Sequence, residues 1–494
     1  MRDAKMQRLF LLLWMALFIA CLGLSAQSKT APKAKKTTAL EEARIFKDAM
    51  DLFKKAEAMI GTPDENSEAQ AELFRKVIKL KPDFLEAHYN LGLIYANQKK
   101  MKEAIEEFEK VLKLEPKFNP DIYYILGTAY QELGDPASAI KALEEGLQRQ
   151  PEDLKFLKAL AYLQFDQKMD ASAIESLQKI LELDPQDTAA HVDLALLFQR
   201  NGETEKAVEH FKAASIAEPQ NLSIHYNLAL MYLRQKKNAE AAAELEAANK
   251  IQPGNADLLE KLGDAYAFQQ QHAKAANAYK AALEKVKNRS SIYAKLGFNL
   301  ANLNRNEEAV SSLESAVRLD AKNPEVYFLL GDLYEDLKRY DEAVGAYKHS
   351  LEINPNQKIV LYNLGTLYAG QNQLKESIEE FRKAVQLDPD YAAAWSNLGL
   401  VAERLDLDKE AIEAHEKVVS LGKGQAVNYF HLGILYAKSN RPDPAIAAFT
   451  RAIEMEPDKY RAVLREELKK VHSVLDPVRY KENFAKLLSD SPTR

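Results

Sequence analysis

The sequence predicts an all-α protein built as a linear array of stacked helical hairpins. Three observations predict it: a small residue returns at a fixed interval, apolar residues recur at three- and four-residue spacing on either side of a polar turn, and proline closes most units. The small residues are Gly92, Gly127, Ala161, Ala195, Ala229, Gly263, Gly297, Gly331, Gly365, Gly399 and Gly433, and every step is 34 residues except the first, which is 35. Leu91, Tyr95, Phe108 and Val111 show the helical spacing within one unit. Gly92 and Ala104 are small where its two helices must approach, and larger residues fill the space between hairpins. Pro116, Pro151, Pro185, Pro219, Pro253, Pro355, Pro389 and Pro457 cannot continue a helix and so separate successive units. One hairpin cannot cover its own apolar face, which makes the array the folding unit.

The segments follow in order. Residues 1–26 have the layout of a signal peptide: Arg2, Lys5 and Arg8, an apolar run from Leu9 to Leu24, then Gly23, Ser25 and Ala26. Cleavage near Ala26 is the first reading and an uncleaved anchor the second, since the run is short of the ~20 residues that span a bilayer comfortably. Lipidation is the third: Phe18, Ile19, Ala20 and Cys21 resemble a bacterial lipoprotein box, with Phe18 where leucine is usual. Residues 27–40 read as a flexible basic linker, with Lys29, Lys33, Lys35 and Lys36 around Pro32 and no apolar periodicity. Residues 41–84 read as a degenerate first hairpin, with Phe74 and Val77 in phase but an extended polar turn from Gly61 to Ser67. Eleven units in register fill 85–457. Residues 458–494 read as capping helices and a tail. Tyr460, Leu464, Leu468, Val471 and Leu475 form one stripe, and Asp476-Pro477 opens a last short helix carrying Tyr480, Phe484 and Leu488.

Asn90-Leu91-Gly92 leads to Tyr95, Ala104, Phe108 and Pro116, and the last copy runs Leu432-Gly433, Tyr436, Ala445, Phe449, Ala452 and Pro457. With its period, this pattern strongly resembles the tetratricopeptide repeat family, here as an exported bacterial member. The resemblance implies an α-solenoid, a right-handed superhelix of helix-turn-helix hairpins whose first helices line a concave face. Some copies depart from the pattern. Lys287, Ala321 and Lys423 replace the usual proline, so those turns are expected to be looser or to continue helically. His415 stands where most copies have an aromatic residue or leucine, and Ala402 replaces the usual tyrosine. The unit from Ala392 to Lys423 is therefore expected to be the least well packed.

Composition and motifs limit the chemistry. Without residues 1–26 the chain has 64 basic and 72 acidic residues, a net of −8, and this balance does not point to nucleic acid. The single cysteine, Cys21, lies in the predicted leader, so the mature chain has no disulfide and no thiolate for catalysis or zinc binding. No phosphate loop, dinucleotide turn, nucleophile elbow or H-E-x-x-H is present. The nine histidines are scattered, and His88, His191 and His225 hold the repeat position that Trp395 fills later, which reads as packing. No catalytic residue, metal ligand, cofactor or small-molecule substrate is predicted.

In the family, the residues just before the Leu-Gly pair commonly point into the concave groove. Here they are Tyr89 and Asn90, Tyr226 and Asn227, Tyr362 and Asn363, and Asn397, with Asp193, Lys261 and Lys295 in other copies. Stacked carboxamides offer donor and acceptor to an extended peptide backbone, similar to the asparagine-lined arm of O-linked N-acetylglucosamine transferase. The same Tyr and Asn also support packing alone. Ile125, Ala159 and Leu329 interrupt the ladder. Lys261 with Lys295, and Arg200 with Arg234, form stacked basic pairs that either take an acidic ligand or make a solvated face balanced by Glu260 and Asp264. The expected function is a non-catalytic interaction scaffold outside the cytoplasm, periplasmic or secreted, holding a protein or peptide partner. An assembly or export platform for an envelope component (a polysaccharide, a pilus or an outer-membrane protein) and a regulatory subunit of an enzyme are the alternatives. Membrane contact is expected only through an uncleaved leader or a lipidated Cys21.

Overall fold

The structure is a computed structural model that describes residues 38–469. The predicted leader with Cys21, the basic linker up to Thr37, and the last helix carrying Tyr480, Phe484 and Leu488 lie outside the described residues. The described residues form 25 α-helices and no strand, and none of these helices is long and apolar enough to cross a membrane. The chain divides into two compact units, Met1–Pro185 and Gln186–Arg494.

The first unit contains four hairpins: α1 (Ala39–Glu57) with α2 (Glu68–Leu80), α3 (Leu85–Asn97) with α4 (Met101–Leu114), α5 (Asp121–Glu132) with α6 (Pro136–Leu147), and α7 (Leu154–Asp166) with α8 (Asp170–Leu183). The second contains eight: α9 (Thr188–Arg200) with α10 (Thr204–Ala217), α11 (Leu222–Arg234) with α12 (Asn238–Ile251), α13 (Ala256–Phe268) with α14 (His272–Lys285), α15 (Ser290–Ala301) with α16 (Asn306–Leu319), α17 (Pro324–Asp336) with α18 (Tyr340–Ile353), α19 (Lys358–Gly370) with α20 (Leu374–Leu387), α21 (Ala392–Arg404) with α22 (Asp408–Ser420), and α23 (Ala426–Lys438) with α24 (Pro442–Met455). A final helix, α25 (Pro457–Lys469), starts on the proline that ends the last repeat, where its missing N–H is not needed. Its Tyr460 and Leu464 are buried in one cluster with Phe430 and Phe449. Each unit is an α-solenoid of helical hairpins.

Local chemistry sets the ends of these helices. First helices after a Pro-x-Asn or Pro-x-Asp turn are capped by that side chain, as where Asn221 Oδ1 accepts from the Ser223 amide at 3.1 Å and Asp187 Oδ1 from the Ala190 amide at 2.8 Å. The turn inside each repeat closes with a left-handed residue, such as Lys99 (φ 62°), and a bond from the next amide back to the last turn, Lys100 N to Tyr95 O at 2.8 Å. Where proline is missing, the second helices still stop, at Lys285, Leu319 and Ser420, so none of those three turns continues helically.

Inside a hairpin, the repeating small residues face large ones. A Cβ at Gly92 would lie 2.8 Å from the fully buried Phe108 ring, closer than two carbons pack. Ser377 replaces the usual buried alanine, and its hydroxyl donates to Gly365 O at 2.7 Å, so no orphan donor results. The hairpin from Ala392 to Ser420 is not loosely packed as expected. Ala402, Ala411, Ala414 and His415 are fully buried, because the imidazole fills the ring space against Gly399 and its nitrogens meet Glu403 and Asn428.

The histidines that share a repeat position with Trp395 have a common task. His88 Nε2 lies 2.9 Å from Pro82 O, His225 Nε2 lies 3.1 Å from Pro219 O, and Trp395 Nε1 donates to Pro389 O at 2.9 Å. Each ring thus serves the proline's own carbonyl at the preceding turn. The histidines add a second bond: His88 Nδ1 lies 2.5 Å from Glu107 and His225 Nδ1 2.6 Å from Glu244. In His191, Nδ1 lies 3.0 Å from Nδ1 of His210.

Candidate functional site

All of the residues predicted to face a partner lie on first helices, and all are half-buried. In the first unit, Tyr89 packs edge-on against Phe108 and Phe118, and its hydroxyl accepts from Asn119 Nδ2 at 3.1 Å. Burial, aided by Asp121, holds its phenol above the ordinary range. The carboxamide of Asn90 has no hydrogen-bond partner among the described residues.

In the second unit the candidates separate into two kinds. Asn363 Nδ2 donates to Asp332 Oδ1 at 3.2 Å, and Asn397 Nδ2 donates to Tyr362 Oη at 3.3 Å, so both amides tie one first helix to the one before it. Tyr362 rests on Phe381 and Tyr391. Asn227 has no partner among the described residues, and Tyr226 and Asp193 are shifted upward chiefly by burial. The ladder therefore offers open amides only in places.

The two lysines do not form a bare basic strip. Lys295 Nζ lies 2.7 Å from Glu260 and 2.8 Å from Asp264, and Lys261 Nζ lies 3.7 Å from the same Asp264. Arg289 joins Glu260 at 3.3 Å and pairs with Asp257 as well. Burial works to lower the Lys295 ammonium, and the two carboxylates outweigh it, leaving it above the ordinary lysine range. Three cations face three carboxylates here, and an acidic ligand would have to displace one of them.

Next to this charged ridge lies a feature that reasoning from the ladder positions missed. Side chains mainly of α13, α15 and α17, with Tyr279 and Leu313 of α14 and α16 beneath them, border an open groove of about 530 Å³, lined by Phe268, Phe298, Phe328, Leu329, Asn299 and the Lys295 stem, among others. Phe268 is 70% exposed and Phe298 52% exposed, an unusual condition for aromatic rings in an otherwise well-filled array. Leu329, which interrupts the asparagine ladder, belongs to this groove. The missed signal is the position after the repeat glycine. In several copies it holds a polar residue, Thr128, Asp332 or Thr366, but here it holds Phe298. The asparagine at its edge is not free: Asn299 is bound to Lys295 O at 2.8 Å and lies 2.9 Å from His272. The groove thus presents an apolar floor, one neutralised cation and little unpaired polarity.

Comparison with known proteins places the chain. Models described as tetratricopeptide repeat match residues 85–118, 124–188, 192–256, 295–358 and 426–459, and one described as TPR repeat matches 365–406. The human protein named Protein O-mannosyl-transferase TMTC3 is 28% identical over 99 residues, which is 20% of this chain and 11% of that one. The chain therefore spans only about a tenth of that relative's length. Among solved structures it is similar to MamA, at 25% identity and a TM-score of 0.32 over 33% of this chain and 95% of that one. It is also similar to YrrB, described as a TPR protein with an unusual peptide-binding site, at 23% identity and 0.35 over 38% and 97%. A third is the Naa15/Naa10 complex bound to HypK-THB, at 16% and 0.39 over 89% and 78%. At these TM-scores none of them bears on what this chain holds. The in-phase positions and the matched repeats agree, and the chain belongs to the tetratricopeptide repeat family.

Proposed function

We propose that this chain is a non-catalytic interaction scaffold that works outside the cytoplasm and holds an extended segment of a protein partner in the groove of its second unit. The exposed Phe268 and Phe298 carry this reading, since bulky rings left in water on the first helices gain by taking apolar partner side chains. An area-based estimate gives each ring roughly 1.5–3 kcal/mol on full burial. The charged ridge of Lys295, Glu260 and Asp264 sets one edge of the groove, and its internal balance disfavours an acidic ligand relative to a largely apolar one. The open amide of Asn227 adds backbone recognition further along the unit. Export rests on the layout of residues 1–26, and the mature chain is then expected to begin near Gln27.

The test places a photo-crosslinking residue at Phe298 and, as a control, at Ile216, which is exposed on a second helix. In the native host, adducts to one partner segment are expected from position 298 only, and Phe268→Ser in the same chain is expected to reduce them at least tenfold. Equal labelling from both positions, or no effect of the serine, would overturn the groove reading. Cell fractionation and N-terminal sequencing test the location separately, and an intact N-terminus in the cytoplasm would refute export.

A further inference from the structure

A second site lies on α21, α22 and α23, in the same unit but on helices other than those that line the groove. Glu403 from the last turn of α21 is set between two imidazoles: its Oε1 lies 2.9 Å from His415 Nε2 and its Oε2 lies 2.8 Å from His431 Nδ1. One nitrogen from each ring and the carboxylate all fall within 4.8 Å of one another. The rings are near-parallel, 17° apart with centroids 5.6 Å apart. His415 is fully buried and held against Gly399, while His431 is 28% exposed and leaves one side of the cluster open to water. The three residues come from three successive helices, across the turn where Lys423 replaces the family proline.

We propose that Glu403, His415 and His431 bind one zinc-class divalent cation, with the fourth coordination position open on the His431 side. Two imidazoles and a carboxylate are the donor set that suits such an ion, and three protein ligands leave one position for water. Ligand atoms about 2.0–2.1 Å from a tetrahedral ion sit ~3.3 Å apart. The two imidazoles now contact different oxygens of Glu403, so one oxygen takes the ion and ligand atoms that lie within 4.8 Å of one another draw together on loading. The ion replaces the two N–H protons that Glu403 accepts without it, and each ring then carries its proton on the other nitrogen.

For His431 that other nitrogen is on the exposed ring. For His415 it is Nδ1, which lies 3.3 Å from Asn428 Nδ2. Asn428 is oriented by its other bonds: Oδ1 accepts from the Gln425 amide at 3.0 Å, and Nδ2 donates to Ser396 Oγ at 2.9 Å. A donor therefore faces the nitrogen that must become a donor, and this residue sets the affinity of the site. Asn428→Asp removes the conflict. One carboxylate oxygen keeps the Gln425 bond and the other accepts from His415 Nδ1–H, giving the carboxylate–histidine–metal arrangement that strengthens a ligand.

The test uses the full chain without an affinity tag, stripped with EDTA and titrated with Zn2+ by calorimetry, and with Co2+ followed by its visible absorption. One Zn2+ per chain is expected to bind at this site. His431→Ala and Glu403→Gln are expected to weaken it at least tenfold with unchanged far-UV circular dichroism, and Asn428→Asp to tighten it tenfold or more. The gain in Asn428→Asp does not depend on a variant that fails to fold. No uptake by the wild type, uptake unchanged in His431→Ala and Glu403→Gln, or no tightening in Asn428→Asp each overturns the proposal.

Discussion

Glu107→Gln probes how this array holds charge inside. Glu107 is only 11% exposed at its side chain, and it accepts from the buried His88 at 2.5 Å and from Lys110 at 2.8 Å. A glutamine of the same shape has one acceptor and presents an N–H group where the second acceptor stood. A hydrogen bond to a charged group contributes about 1.5–3 kcal/mol, and the pair with the half-exposed Lys110 adds well under 1 kcal/mol after screening. The expected loss is about 2 kcal/mol, or roughly thirtyfold faster amide exchange in α3 and α4 if local opening governs it. Burial pushes the Glu107 carboxyl upward, and the His88 and Lys110 donors outweigh it, so it lies below the ordinary carboxylate value. A depressed carboxyl contributes stability that is full above its unfolded value of about 4.3 and is lost as pH falls through its folded value. The gap between wild type and variant is therefore expected to be full at neutral pH and to close in acid. Exchange measured by mass spectrometry and corrected for intrinsic rates reads it out. A gap under about 0.5 kcal/mol, or one that stays constant into acid, would refute the reasoning.

The other expectations concern the core and the turn histidines. Phe381→Ala deletes a fully buried ring between α19 and α20 and is expected to cost about 3–5 kcal/mol, read as lost protection or a lowered urea midpoint. His225→Ala leaves Pro219 O and Glu244 without their imidazole partner and is expected to cost about 2 kcal/mol. His225→Trp is expected to recover much of it, because Trp395 already serves Pro389 O in the equivalent place. Thermal unfolding that ranks the tryptophan no higher than the alanine would contradict the assigned task.

The fold could be read from the sequence because each repeat reports its own neighbours. Gly92 and Phe108 are 16 residues apart in one hairpin, and the same spacing returns in later copies, as with Gly365 and Phe381, so local pattern and tertiary contact carry the same information. The site was less legible. Asn363 and Asn397 are legible as candidates, but their use as ties to the first helix of the preceding hairpin depends on partners about one repeat away, Asp332 and Tyr362. The exposed rings of Phe268 and Phe298 look in the sequence like further core residues, because exposure depends on which face of a helix its neighbours cover. His415 is visible in the sequence as a departure from the repeat, but its polar surroundings are not, since Glu403 and His431 reach it from two other helices.

By itself the sequence determined the period, the hairpin and most of the places where helices start and stop, which follow from short-range sterics and capping, but it left the turns at Lys287, Ala321 and Lys423 open. Its repeat pattern pointed to the family. The tertiary structure decided which charges neutralise one another, which rings face water and which three side chains, Glu403, His415 and His431, converge. Those are properties of side chains projecting from different helices, and helix packing brings them within a few ångströms of one another with no spacing rule to announce it.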